Sequence, residues 1–173
     1  MPRSDQRITD DRYTLIPRTL IFLTRRNDAS PSGEVLLIKG SSHKRLWANL
    51  YNGIGGHIEP GEDAISAARR ELLEETGLTP DDLWLCGTII IDTGKNPGIA
   101  IYVFRGESST GEIRESQEGI LKWVPLNQMN HLPLVEDLPT LMPRVMATRK
   151  GNFPFSACYS YDNADQLVIT FND

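Results

Sequence analysis

The sequence predicts an α+β domain, a few helices packed on a β-sheet. Apolar, β-favouring runs recur between turn clusters, as in Thr19-Leu-Ile-Phe-Leu-Thr24. One well-marked helix, Ala64 to Thr76, stands among these strand runs. The composition, 39% hydrophobic and 24% charged over 173 residues, is that of a single folded domain spanning 1–173. A chain of this length buries a core without disulfide or metal staples.

In chain order, 1–12 is polar and of mixed charge, and reads as a loose tail. Thr19–Thr24 and Glu34–Lys39 are strands, and the turn cluster Asn27–Gly33 between them makes a hairpin. Gly40 to Asn52 reads as a loop carrying Trp47, Leu50 and Tyr51, followed by the glycine-rich Asn52-Gly-Ile-Gly-Gly56. The helix at 64–76 has Asp63 as N-cap and Gly77 as left-handed stop. Leu83–Asp92 and Ile99–Arg105 are strands joined by the turn-rich 93–98, and a further strand leads to Lys122-Trp123-Val124. Glu136 to Thr148 forms a second helix, with Pro139 in its first turn and Pro143 straining its middle. The segment 153–171 closes the chain as a β-hairpin.

Charge and cysteine content narrow the function classes. Lys plus Arg total 18 against 23 Asp plus Glu, a net charge of −5. This balance speaks against a nucleic-acid polymer as partner. It permits phosphate substrates if a bound cation inverts the local field. No apolar run has membrane-spanning length, and no signal-peptide pattern opens the chain. Cys86 and Cys158 form no metal-binding pair. They read as reduced thiols of a cytoplasmic protein.

The chemistry concentrates in 56–78. At about 100° per residue, Glu71, Glu74 and Glu75 share one narrow helix stripe. Ala64, Ala67 and Ala68 lie on or beside it and leave space there, while Ile65 and Leu72 point to the core. A solvated acidic face would explain the charges, but two features oppose it. Glu71 and Glu75 repel at i,i+4 spacing. All three glutamates stand in the half of the helix where its dipole disfavours anions. Clustered carboxylates beside a glycine-rich backbone suit a hard cation such as Mg²⁺ or Mn²⁺.

Gly56, Glu62, Arg70, Glu71, Leu72, Glu74, Glu75, Gly77 and Leu78 fill every fixed position of G-x5-E-x7-R-E-U-x-E-E-x-G-U, U being aliphatic. The segment resembles the Nudix box. The resemblance implies a Nudix fold, an α/β/α sandwich around a mixed sheet, and Mg²⁺-dependent hydrolysis of a nucleoside diphosphate linked to another group. It implies Glu71, Glu74, Glu75 and the Gly55 carbonyl as metal ligands, with Glu62 and Arg70 holding the loop to the helix and orienting the glutamates. Pro60 and Gly61 would shape the loop.

Two further segments resemble the MutT-like subgroup, which includes oxidised-purine nucleoside triphosphatases. In Asn52-Gly-Ile-Gly-Gly56 the Asn52 amide would bind the base, or else serve the turn before Gly53. In Glu115-Ser-Gln-Glu118 a glutamate would join the metal cluster or take a proton from the attacking water. Glu118 is preferred, with Glu115 its rival. Glu136 and Asp137 stand where the subgroup reads the purine edge, although Leu134 and Val135 replace its stacking aromatic. Carboxylates favoured by a helix N-terminus are the other reading. Trp47 and Tyr51 either flank a base or pack at the rim. Lys39, Lys44, Arg45 and His57 either meet phosphates or, as preferred, lie on a solvated surface, and the three histidines have no metal-ligand spacing.

The marks of the ADP-ribose, coenzyme A and NADH pyrophosphatase subgroups are missing. The expected activity is cleavage of a nucleoside triphosphate, oxidised or otherwise non-standard, to monophosphate and pyrophosphate. The alternatives are hydrolysis of another nucleoside-diphosphate derivative, such as ADP-ribose or a dinucleotide, and a non-catalytic nucleotide sensor.

Overall fold

β1 (Leu15–Asn27) and β2 (Ser30–Gly40) form the expected antiparallel hairpin. The computed structural model describes residues 12–27, 30–43, 47–108, 113–114, 116 and 118–172. Residues 1–11 of the expected tail, Lys44, Arg45 and Glu115 fall outside these. β1 is longer than its apolar run suggested, because its first residues pair in parallel with β5 (Gly98–Glu107). β4 (Asp82–Ile91) pairs antiparallel with β5. The terminal hairpin of β7 (Phe155–Tyr161) and β8 (Leu167–Asn172) extends the sheet beyond β4. β6 (Gly119–Pro125) runs antiparallel along β2. Among the described residues the sheet has eight strands.

Helices cover both faces. β1 sends Leu20 and Phe22 into one apolar cluster and Ile21 and Leu23 into the other; β2 divides Val35 and Leu37 from Leu36 and Ile38 in the same way. This is the two-residue alternation of a strand. Because both faces are covered, these strands read as continuous apolar runs. α1 (Ala64–Thr76) contributes Ala68 and Leu72 to one cluster, and α2 (Leu138–Ala147) contributes Leu138, Leu141, Met142 and Val145 to the other. The α/β/α sandwich is the observed architecture.

β1 and β2 pair closely only near their turn, from Thr24–Val35 to Asn27–Ser30. Toward the other end they part, and 51–57 runs between them. β3 (Tyr51–Asn52) pairs with Ile38 and Lys39 of β2. Ile54 exchanges backbone hydrogen bonds with Ile21 at 2.7 and 3.0 Å, and the Thr19 N–H donates to the Gly56 carbonyl at 2.9 Å. The glycine-rich segment is thus part of the sheet, and the expected loop over 40–52 ends in a short strand.

Three expectations are corrected. Ala67 and Ala68 are fully buried, so they let α1 approach the sheet closely and leave no open room beside the glutamates. α2 begins at Leu138, not Glu136: the Tyr51 carbonyl accepts from Val135 N–H, which keeps 133–135 extended alongside β3. A 3-10 helix, Leu126–His131, was not foreseen in the sequence. α2 runs unbroken past Pro143, which lies on its exposed side. No helix among the described residues is long and apolar enough to cross a membrane.

Candidate active site

The ends of α1 are set locally. Asp63 Oδ1 accepts from the backbone N–H groups of Ile65 and Ser66 at 3.0 and 2.9 Å. Gly77, left-handed at φ 73°, donates to the Leu73 carbonyl at 2.9 Å. The helix bounds therefore agree with the sequence reading. Between these caps Arg70 is the hub. Its Nε donates to Glu62 Oε1 at 2.7 Å and its Nη2 to Glu62 Oε2 at 2.9 Å and to the His57 carbonyl at 3.0 Å. Its Nη1 donates to Glu71 at 2.8 Å and to Glu74 at 3.1 Å. Glu62 also accepts from Glu59 N–H at 3.0 Å. The guanidinium first, and that N–H second, hold the Glu62 carboxyl down at about 2. The same network raises the Arg70 pKa, Glu62 contributing most.

The three helix glutamates occupy different surroundings. The Glu71 carboxylate lies against the Gly56 backbone, where a Cβ on Gly56 would collide with it. Glu75 is buried at 7% exposure, whereas the Glu74 side chain is 59% exposed. Glu75, Glu118 and Gly55 line one small cavity of about 80 Å³. Gly55 is pressed against β1 so closely that a Cβ would strike the Thr19 carbonyl. Glu118 is held by its backbone: its carbonyl accepts from Ser41 N–H at 3.3 Å and its N–H donates to Ser116 Oγ at 3.1 Å.

Among the described residues no three acidic, histidine or cysteine side chains converge as a finished metal-binding group. Arg70 instead neutralises Glu71 and Glu74. The donor set still fits a hard cation: carboxylates from α1 and the loop before β6 meet the backbone of the glycine-rich segment, and all offer oxygen.

Beside this cavity lies a cleft of about 180 Å³. Trp47, Asn52, Gly53 and Gly55 belong to the walls of both. Asn52 Oδ1 accepts from Gly53 N–H at 2.8 Å, so its carbonyl serves the turn while the side chain also lines the cleft. Glu136 and Asp137 line it too. Asp137 occupies the N-cap position of α2 but makes no capping bond with its side chain. Burial raises its pKa. Tyr159, from β7, faces the same cleft, and burial followed by the nearby Asp137 charge raises its pKa.

The sequence reading missed several wall residues. Arg18 and Leu20 come from β1, Ile91 and Ile101 from β4 and β5, and Tyr159, Tyr161 and Leu167 from the terminal hairpin. Only Arg18 left a trace in the sequence, as a charge next to the apolar run of β1. His43, His57 and His131 are exposed.

A NUDIX domain model matches residues 15–145. The chain is 39% identical over 103 residues to an oxidized purine nucleoside triphosphate hydrolase of Danio rerio, covering 56% of this chain and 65% of that protein. It is 30% identical over 122 residues to the protein of that name from Mus musculus, covering 69% of this chain and 78% of the other. The crystal structure of a MutT protein from Bacillus halodurans superposes with a TM-score of 0.72 at 21% identity, covering 91% of this chain and 98% of that one.

Proposed function

From the premise that this chain belongs to the NUDIX domain family, we propose that it is a metal-dependent pyrophosphohydrolase that cleaves a nucleoside triphosphate to nucleoside monophosphate and pyrophosphate. The supporting observation is the shared wall of Trp47, Asn52, Gly53 and Gly55 between the carboxylate cavity and the neighbouring cleft. A nucleotide lying across that wall has its base among Asn52, Glu136 and Asp137 and its phosphates toward Glu75 and Glu118. Two relatives are named for oxidised purine triphosphates, which makes such a purine the first substrate to try.

Glu71, Glu74, Glu75, Glu118 and the Gly55 carbonyl would hold the cation, Mg²⁺ or Mn²⁺. When bound, the cation would supply positive charge to offset the phosphate oxygens and to make a water more acidic. The side chains around it have separate tasks. Arg70 and Glu62 lock the loop to α1 and keep Glu71 and Glu74 aimed at one side of the helix. Glu118, on a loop, either completes that ligand set or, left out of it, takes the proton of the attacking water. Burial of Glu75 keeps bulk water from screening its charge.

A panel of standard and oxidised purine and pyrimidine triphosphates, ADP-ribose and a dinucleotide, incubated with Mg²⁺ and separated by chromatography, tests the proposal. Pyrophosphate and a monophosphate from a triphosphate are expected. Orthophosphate as the first product, turnover of ADP-ribose or the dinucleotide alone, or no turnover overturns it.

A further inference from the structure

β8 ends the strand order of the sheet, and among the described residues no strand lies beyond it. Its outer edge follows from its inner one. The Asp162 N–H donates to the Gln166 carbonyl at 3.0 Å, which opens the ladder of β7 and β8 with a hydrogen-bonded pair. Such pairs alternate in an antiparallel ladder, so Ser160–Val168 and Cys158–Thr170 are the next ones. The N–H and C=O groups of Leu167, Ile169 and Phe171 therefore point away from β7. Tyr159, opposite Ile169, agrees with this. Its carbonyl turns the other way and accepts from Asp92 N–H at 2.9 Å.

Edge strands usually carry protection, such as a charge, a proline or a bulge. β6, which among the described residues pairs only with β2, has Lys122 exposed in its middle and Pro125 at its end. β8 has none of these. Leu167 to Phe171 reads Leu-Val-Ile-Thr-Phe, without charge, proline or glycine, and its register against β7 is unbroken. Leu167, Ile169 and Phe171 pack on the core cluster that holds α2 yet stay only partly buried. On the opposite face Val168 is 42% exposed, and Thr170 is exposed beside it.

The same strand, turned about a two-fold axis through Ile169, fits this edge. Leu167 then stands opposite Phe171 of the second copy, and Val168 opposite Thr170 of the second copy. Outward backbone groups meet outward backbone groups at 167, 169 and 171. Apolar side chains meet on one face and β-branched ones on the other, and no charge is set against a charge within 167–171.

We propose that β8 is the seam of a two-fold homodimer, in which Leu167 to Phe171 of two copies pair antiparallel and join their sheets. Tyr159, Tyr161 and Leu167 of the same hairpin line the cleft, so the seam also braces that wall in both copies. The contact is narrow, and the dimer is accordingly a reversible one.

Sedimentation over about a hundredfold range of protein concentration tests this, with amide hydrogen exchange measured at both ends of the range. The chain should pass from monomer to twice its mass as concentration rises, and the amides of Leu167, Ile169 and Phe171 should slow as it does. Val168→Lys with Thr170→Lys sets lysine against lysine across the seam and should weaken the dimer about tenfold or more. Val168→Lys with Thr170→Glu sets lysine against glutamate and should keep the dimer within about threefold of wild type.

A monomer at every concentration overturns the proposal. So does a dimer whose 167–171 amides exchange as fast as in dilute protein, which places the interface elsewhere. Slow exchange of those amides in the monomer overturns it too, because another part of the chain then covers the edge. Equal weakening by the two double variants has the same force, since charges would then not meet across the seam.

Discussion

Gly56 lacks a side chain where the Glu71 carboxylate stands, with Glu71 Oε2 only 2.7 Å from an added Cβ. Gly56→Ala must therefore move Glu71 or the strand-like segment beneath it. The expected result is loss of turnover by at least about tenfold at saturating Mg²⁺, the scale of a disturbed ligand shell, in a protein that still melts cooperatively. Steady-state kinetics with a melt on the same sample decides this, and near-normal turnover would show that Glu71 is not a ligand. The glutamates should also differ among themselves. Glu75 is buried and lines the cavity, whereas Glu74 is mostly exposed and tied to Arg70. Glu75→Gln should cut turnover by about a hundredfold and Glu74→Gln by about tenfold. The sequence put the three on one stripe as equals. Their inequality follows from where the sheet surface meets that stripe, which no i,i+4 count contains.

At the scale of the element, α1 and the loop before it act as one unit. Arg70 bonds Glu62 and the His57 carbonyl, and Asp63 caps the helix. Both carboxyls titrate lower folded than unfolded, Glu62 through Arg70 and Asp63 chiefly through the Ser66 N–H. A depressed folded pKa means that the carboxylate form stabilises the fold. That contribution is complete above the ordinary value of 4.5 for Glu62 and is lost as pH falls toward about 2. Thermal stability should thus decline over this acid range. Glu62→Gln should show a shallower decline and a lower plateau near neutral pH, and a melting curve unchanged at pH 7 would show that the Arg70–Glu62 pair holds nothing. α1 was legible because caps, charges and period are local signals. The start of α2 was not, because the bond from Val135 to the Tyr51 carbonyl joins residues distant in sequence.

Across the whole molecule, the site exists because β1 and β2 part and 51–57 enters the gap. The segment carries Asn52 and Gly55 between them, and α1 brings Glu71 and Glu75 to its edge. β6, paired along β2, places Glu118 at the same edge, since Gly119 lies opposite Gly40. A cation held by groups from these separate elements stabilises the folded chain, because the unfolded chain does not assemble them. Mg²⁺ at about a hundredfold excess over its dissociation constant should raise the melting temperature by about 5–10 °C, and chelation should reverse it. Glu75→Gln should show a much smaller rise. An equal rise in both proteins would place the cation elsewhere.

The α/β/α sandwich was implied through the box's resemblance to a known family, whereas the sequence by itself determined the helix α1 with both caps, the order of the main strands, the α+β class and the carboxylate pattern of the box. Each rests on near neighbours in the chain: a capping side chain, a period of 3.6 or 2, a turn cluster. Only the tertiary structure decided which carboxylates are buried, that Glu118 shares a cavity with Glu75, and that Arg18 shares a cleft with Glu136 and Asp137. Those groups are separated by 43 residues or more of chain (Glu75 to Glu118) and meet only through sheet pairing. Pairing partners depend on long-range register, and the period of two within a strand fixes only which face its side chains take, not which distant strand lies beside it.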